Sequence, residues 1–453
     1  MCRVSRGVAV ALALATGFAA RPAPAQTPRL DSLIAVAEAK WPALAARRAE
    51  ASAARARAAE AERAYRPSVS VGGSYTLAAG GRVIALPLGD LLNDAYATLN
   101  QLTQSASFPQ LENEEEPLLA NNFYDARVRV EQPLYRPEIA IGRERSRVGI
   151  AAAEARTEAT AADLREAVRA GYLQLLSARR GVEIYAAALT LVEESYRTTA
   201  SLVRNGAALP LARERIVAER ARLRAERTAA ERQVANARAR LNHLLGNDLD
   251  AALPGLDAVG AGGDSGAPPP EDLLRGAGAA ELPELRALRA AVELATLDAE
   301  LERQWRRPRV GLRVDGGSQD FDFGLQPYAL AGLSVEVALY DGGRHAARAQ
   351  RIAAERDAAE RRVGDASRSL ALREEVARNN LAAAEAALAA YAPAVAAAER
   401  TERDARRLYR AGETGYVELL DAQSQLTRTR LERNLAEFGV SLEAVRLLRA
   451  RGR

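Results

Sequence analysis

The sequence predicts an α+β membrane protein in which very long helices carry two short strand pairs. Three observations predict it. Ala/Arg/Glu-rich stretches run for dozens of residues with almost no helix breaker. Two strand pairs, each bounded by proline, alternate apolar residues with polar ones. The same punctuation then recurs in the same order in the second half. Across 453 residues, 63 Lys+Arg stand against 59 Asp+Glu, a net charge of only +4. Nearly all the cations are arginines interleaved with glutamate at helical spacing, the pattern of a solvated helix surface. A nucleic-acid groove would be lopsided in sign and interleaved with aromatics, so no nucleic-acid partner is expected.

Residues 1–25 have the pattern of a secretory signal peptide: Arg3 and Arg6, an apolar core from Val8 to Ala20, and the small-x-small site Ala23-Pro24-Ala25. Cys2, the single cysteine, precedes that core and leaves with it, so no lipid anchor, disulfide or thiol chemistry is expected. No later apolar run of about 18 residues is read, so no transmembrane helix is expected.

The mature chain begins with a helix from Leu30 to Tyr65, with Pro42 as a boundary or kink and Arg66-Pro67 as its stop. In the following strand Val69, Val71, Tyr75 and Leu77 face one way, and Ser68, Ser70, Gly72, Ser74 and Thr76 the other. Residues 78–122 read as a long polar loop. Then Tyr124, Ala126, Val128 and Val130 alternate with Asp125, Arg127, Arg129 and Glu131, a row of ions that must face water. From Glu138 a helical pattern runs to about Asn205, which at 1.5 Å per residue spans roughly 100 Å. Asn205-Gly206 breaks it, Pro210 opens a return helix, and Gly246 stops that one. Residues 247–280 are rich in Gly, Pro, Asp and Ser and read as a linker. The cycle restarts with a helix from Leu282 to Gln304, a strand pair over 308–340 with its tip at Asp315 to Pro327, a helix from Arg344 to about Arg410, a break at Ala411-Gly412, and a last helix to Arg449.

Gly412 follows Gly206 by 206 residues (412 − 206) and Tyr340 follows Tyr135 by 205 (340 − 135), so residues 26–246 and 281–453 are expected to be two structural repeats. Each supplies two strands long enough, when tilted, to cross an apolar band of about 25 Å. Four strands leave two open edges, and unpaired backbone in lipid costs several kcal/mol per group, so chains must pool strands into a barrel. Tyr75, Tyr124 and Tyr328, near strand ends, suit an interfacial aromatic belt. Alanine lets the long helices pack closely, as a wall of paired coiled coils requires. A soluble sheet capping a helical bundle, in a periplasmic adaptor or scaffold, is the alternative.

The order of these elements resembles the outer membrane efflux protein family, TolC-like. The resemblance is carried by Gln132-Pro-Leu-Tyr135, by Leu333 to Gly343, by Leu241-Asn-His-Leu-Leu-Gly246, and by Leu408-Tyr-Arg-Ala-Gly412 through Glu418 to Asp421-Ala422. It implies a homotrimer whose protomers each give four strands to a 12-stranded β-barrel, continuous with a long α-helical coiled-coil barrel. It also implies a periplasmic adaptor (membrane fusion) protein and an inner-membrane transporter as partners, with outer-membrane lipid around the strands. Such a protein is a passive exit duct for efflux or type I secretion, with no cofactor.

No catalytic constellation is visible. His243 and His345 are the two histidines, and neither has a second ligand at metal spacing. Glu418 and Asp421 lie three residues apart on one helix face beyond Gly412. In a trimer they form carboxylate rings, which select cations at a pore; alone they are a first-turn pair favoured by the helix dipole. The resemblance places them at the periplasmic entrance. It also places Asn205, Gly206, Ala411, Gly412, Thr414 and Gly415 at the hairpin tips that meet the adaptor. Thr414 departs from the family's best-known member, which has arginine there, so that member's latch is absent or differently built here.

Overall fold

The structure, a computed structural model, describes residues 30–119, 121–253, 281–321 and 323–452. The signal segment and most of the linker therefore lie outside the described residues. In chain order the elements are α1 (Leu30–Lys40), α2 (Pro42–Arg63), β1 (Ser68–Thr76), β2 (Val83–Leu86), α3 (Leu88–Thr103), β3 (Glu114–Pro117), β4 (Phe123–Tyr135) and α4 (Pro137–Arg204). They continue with α5 (Pro210–Leu245), α6 (Pro283–Arg303), β5 (Arg309–Phe321), β6 (Pro327–Glu336), α7 (Arg344–Ala411) and α8 (Tyr416–Ala450). Both α4 and α7 are 68 residues long. The chain divides into a helical unit, Met1–Arg48, Thr157–Pro283 and Ala366–Arg453, and a sheet-bearing unit, Ala49–Arg156 and Glu284–Asp365.

In the sheet-bearing unit four antiparallel strands run in the order β1-β4-β5-β6, so β1 and β6 are the edges. The register pairs Val71 with Val128, Val130 with Val314, and Leu312 with Leu333, which gathers the apolar side chains on one face. That face is open: Val71 is 81% exposed, Val69 66% and Leu333 65%. The opposite face is charged and internally paired. Arg129 donates to both oxygens of Asp315 at 2.7 and 3.3 Å, and Arg127 donates to Asp125 at 2.8 Å. Behind the sheet, Val148 and Ala152 of α4 pack with Ala290 of α6, and Arg145 pairs with Asp298 at 2.8 Å.

The turn expected at Asp315 to Pro327 is shorter than the sequence suggested. Asp315 to Phe321 continue β5, because β4 reaches far enough to pair with them, Arg129 opposite Asp315 and Phe123 opposite Phe321. Glycines 316 and 317 sit within the paired strand rather than in a turn. The segment 78–122 is also no plain loop. It contains α3 and the two-stranded β2–β3 sheet. Two asparagines seven residues apart on α3 hold the returning chain: Asn93 exchanges two hydrogen bonds with the Leu111 backbone, and Asn100 two with Phe108. Each amide side chain supplies one donor and one acceptor where no ladder exists.

The helical unit has a core in which α1, α4, α5 and α8 meet around Leu33, Leu164, Leu241 and Val445. Leu241 and Val445 are fully buried, as are the smaller Ala162 and Ala444. A separate cluster joins α7 to α8 through Leu381, Val440 and Leu447. Arg449, itself buried, donates twice to Asp163 at 2.7 and 2.8 Å. The first linker residues are tied down, since Asn242 donates to the carbonyls of Leu249 and Ala251 and Leu253 is buried. By length and composition α7 contains a stretch apolar enough to cross a membrane, contrary to the expectation of none. The stretch is mostly alanine, apolar but small, inside a helix that is otherwise heavily charged.

Gly246 ends α5 with φ +65°, its N–H bonded to His243 O and that of Asn247 to Asn242 O. This left-handed turn costs a residue with a Cβ about 1–2 kcal/mol. A Cβ at Gly246 would also lie 3.1 Å from Lys40 Cβ, whereas one at Gly206 meets nothing within 4 Å. Both Gly206→Ala and Gly246→Ala should lower the thermal unfolding midpoint in detergent, and Gly246→Ala should do so more; equal losses would contradict the contact with Lys40.

Candidate functional site

The helical unit carries two hairpin tips built alike. At the first, Gly206 has φ +71°, its N–H bonds to Val203 O, and Ala207 N–H bonds to Leu202 O. At the second, Gly412 has φ +76°, bonds to Tyr409 O, and Glu413 N–H bonds to Leu408 O. Both are Schellman turns, in which a left-handed glycine satisfies the last helical carbonyls. Leu209 and Pro210 then open α5, and Gly415 opens α8. Asn205, Gly206, Ala411, Gly412 and Gly415 are exposed and Thr414 is half-buried. Beside them Leu209, Leu211 and Val417 are exposed to 74%, 58% and 51%, apolar side chains uncovered on these turns.

Behind the tips α4, α5, α7 and α8 share a core of Val192, Ile216, Leu223, Tyr409, Tyr416 and Leu419. Polar ties cross it. The hydroxyls of Thr199 and Tyr409 are 2.6 Å apart, and Gln423 Nε2 donates to Ser195 Oγ at 3.0 Å. Arg406 donates to the buried Glu402 at 2.8 Å and to Glu194 on α4 at 3.3 Å. In this protein Arg406, on the preceding helix, therefore links the two hairpins, while Thr414 stands where the latch arginine was sought. None of these ties was legible in sequence, since single Ser, Thr and Gln residues in Ala-rich helices carry no spacing signal. Tyr409 alone lay within a quoted motif.

Glu418 and Asp421 lie on the exposed side of α8, opposite the buried Tyr416, Leu419 and Ala422. Glu418 is in the first turn, and its Oε2 would be 2.8 Å from a Cβ placed on Gly415. The carboxylate thus folds over its own helix N-terminus, where the dipole favours it. Asp421 stands one turn further along the same stripe. The equivalent positions of the first hairpin, 206 residues earlier, are Ala212 and Arg215, so the acidic stripe belongs to one hairpin only.

In the sheet-bearing unit the three tyrosines separate. Tyr75 and Tyr124 face each other across β1 and β4 on the apolar side, and Tyr75 donates to Asn122 at 2.7 Å. Tyr328 sits opposite Gly317 on the charged side and donates to Asp125 Oδ1 at 2.9 Å. Tyr328 is therefore corrected out of a lipid-facing belt; its place in the strand was right, but its parity was not. Of the histidines, His243 packs edge-on against Trp41 at 5.3 Å, while His345 stacks on Trp305 and bonds to Glu302. No group of three or more metal-ligating side chains occurs among the described residues.

The fold and these paired tips define an outer-membrane channel built from long helices and a strand-pair domain. Residues 278–453 match the family model described as Outer membrane efflux protein. That region belongs to the family, and the chain is a TolC-like channel protein of the outer membrane, not an enzyme. No curated protein matches the chain in sequence. Among solved structures it is similar to the outer membrane protein VceC of Vibrio cholerae, at 18% identity and TM-score 0.72 over 93% of this chain and 96% of that one. The outer-membrane channel OprN matches at 21% identity and TM-score 0.71, over 93% and 89% of the two chains. The open-state MtrE outer membrane channel of Neisseria gonorrhoeae matches at 18% and 0.71, over 94% and 89%.

Burial pushes the Tyr416 phenol well above its usual range, helped by nearby Glu219, and its hydroxyl has no hydrogen-bond partner. A raised folded value means stability that is full below pH about 10 and falls as pH climbs through the folded value. Tyr416→Phe should therefore remove part of the alkaline destabilisation, and at neutral pH should be neutral or stabilising by up to about 1 kcal/mol. Tyr409→Phe, which breaks the tie to Thr199, should destabilise by about 1 kcal/mol. Denaturation midpoints at pH 7 and pH 11 check both.

Proposed function

We propose that the chain assembles as a homotrimer whose protomers pool four strands each into a 12-stranded barrel, and that it works as a passive exit duct. The observation that carries this is the four-stranded sheet with two unpaired edges and an uncovered apolar face. Such a sheet is stable in hydrocarbon only when each edge finds another strand. The duct serves a tripartite efflux system or a type I secretion system, fed by an inner-membrane transporter through a periplasmic adaptor. Residues 26–246 and 281–453 act as two repeats of one architectural unit, and cleavage after Ala25 releases the mature chain. Membrane fractionation and the mass of the detergent-solubilised particle test the assembly: a three-chain mass supports it, and a monomer released without detergent defeats it.

The exposed tips are the adaptor's docking ground. Leu209, Leu211 and Val417 offer apolar contacts around the two glycine turns. Photo-crosslinkers placed at Leu209 and Val417 should capture the adaptor, and crosslinks confined to the 247–280 segment would count against docking here.

Glu418 and Asp421 form carboxylate rings at the entrance of the trimer. Their exposed, unpaired stripe on one hairpin supports this reading. Neutralising both (Glu418→Gln with Asp421→Asn) should weaken cation preference in single-channel recordings. Reversal potentials that do not move across a salt gradient would remove the rings from the pore.

A further inference from the structure

At the end of the sheet where β5 begins and β6 ends, α6 and the start of α7 enclose an open pocket of about 680 Å³. Its wall includes Arg303, Trp305, Arg306 and Tyr340 together with Glu302 and Asp341. The two acids are already engaged. Glu302 takes His345 and lies 3.6 Å from Arg348, while Asp341 accepts the backbone N–H groups of Gly343 and His345 at 3.1 and 2.7 Å. The two arginines are not. Arg306 lies 4.6 Å over the Trp305 ring, and neither it nor Arg303 pairs with a carboxylate among the described residues. That is unusual in this chain, where arginines on the helices pair repeatedly with acids three or four residues away, such as Arg351 with Glu355 and Arg378 with Glu374. Tyr340 is 87% exposed and follows an apolar run, Leu333, Val335, Val337 and Leu339, every one of them exposed.

We propose that this pocket binds the phosphate headgroup of an anionic phospholipid, with the acyl chains lying along Leu333 to Leu339. The proposal rests on the reading of the sheet as a membrane barrel. Free guanidinium groups match phosphate with paired donors. Trp and Tyr at the end of an apolar strand occupy the headgroup level of a bilayer. Because both pocket carboxylates are held by other partners, they do not present free charge to an incoming anion. Trp305, stacked between His345 at 4.4 Å and Arg306, fixes one guanidinium in place before any lipid arrives.

The full chain, reconstituted in bilayers of equimolar phosphatidylglycerol and phosphatidylcholine, is re-extracted, washed, and its retained lipid measured by mass spectrometry. Wild-type protein should retain phosphatidylglycerol over phosphatidylcholine by about fivefold or more, the scale set by two basic groups at a membrane surface. Arg303→Gln with Arg306→Gln should bring the ratio close to one. Arg303→Lys with Arg306→Lys should keep most of the enrichment, and Arg227→Gln with Arg232→Gln, on the exposed side of α5, should leave it unchanged. A wild-type ratio near one, or a ratio unmoved by the glutamine pair, overturns the headgroup site. Should the glutamine pair fail to fold by circular dichroism, the wild-type ratio decides. Protein that enters no bilayer at all defeats the barrel reading and this site with it, whereas insertion with equal retention defeats the site alone.

Discussion

Every backbone N–H and C=O in a bilayer must find a partner, and a four-stranded sheet leaves two rows of them without one. The outer edges of β1 and β6 are those rows here. Much else follows from closing them. Side chains beside the open edges must tolerate hydrocarbon on one face and water on the other, which gives the strict alternation of Val69, Val71, Val128 and Val130 with serine, arginine and glutamate. A chain that completes its sheet only with copies of itself needs its helices to stay ordered without a conventional globular core. Alanine at the contacts and arginine–glutamate pairs on the surfaces serve that need, the first by close packing and the second by keeping long exposed helices in water.

The two hairpins show how duplication diverges under shared geometry. Both keep the left-handed glycine, because no other residue adopts that turn without strain. The positions that follow were free to differ. One hairpin continues with Pro210 and an arginine at position 215, and the other with Gly415, Glu418 and Asp421. Turn chemistry was held constant while surface charge was not, so the two tips offer different electrostatics on a common scaffold. The buried ties behind them, Thr199 to Tyr409 and Ser195 to Gln423, join α4 to the helices of the other hairpin.

What was legible in sequence was punctuation. Prolines 67, 137 and 210 and glycines 206, 246 and 412 act through backbone geometry alone, so they placed the long helices to within a residue or two. What was missed depended on partners distant in the chain. Asp315 to Phe321 look like a turn by composition, yet become strand because β4 lies beside them. The helix within 78–122 is held by Asn93 and Asn100 bonding to backbone many residues away. Tyr328 was placed correctly along its strand and wrongly across it, since a register shift of one residue exchanges the faces. Arg406 carries no local mark at all, being one arginine among many.

The interlocked charges on the sheet's polar face have a consequence for traffic. Arg129, Asp315, Arg127 and Asp125 satisfy one another across and along the strands, and Asp315 is only 3% exposed. Groups that have already spent their hydrogen bonds offer little adhesion to whatever slides past. A surface of this kind is wet without being sticky: water solvates it, and a solute finds few unsatisfied donors or acceptors to linger on. For a conduit without a motor, low friction at the exit is worth more than selectivity there.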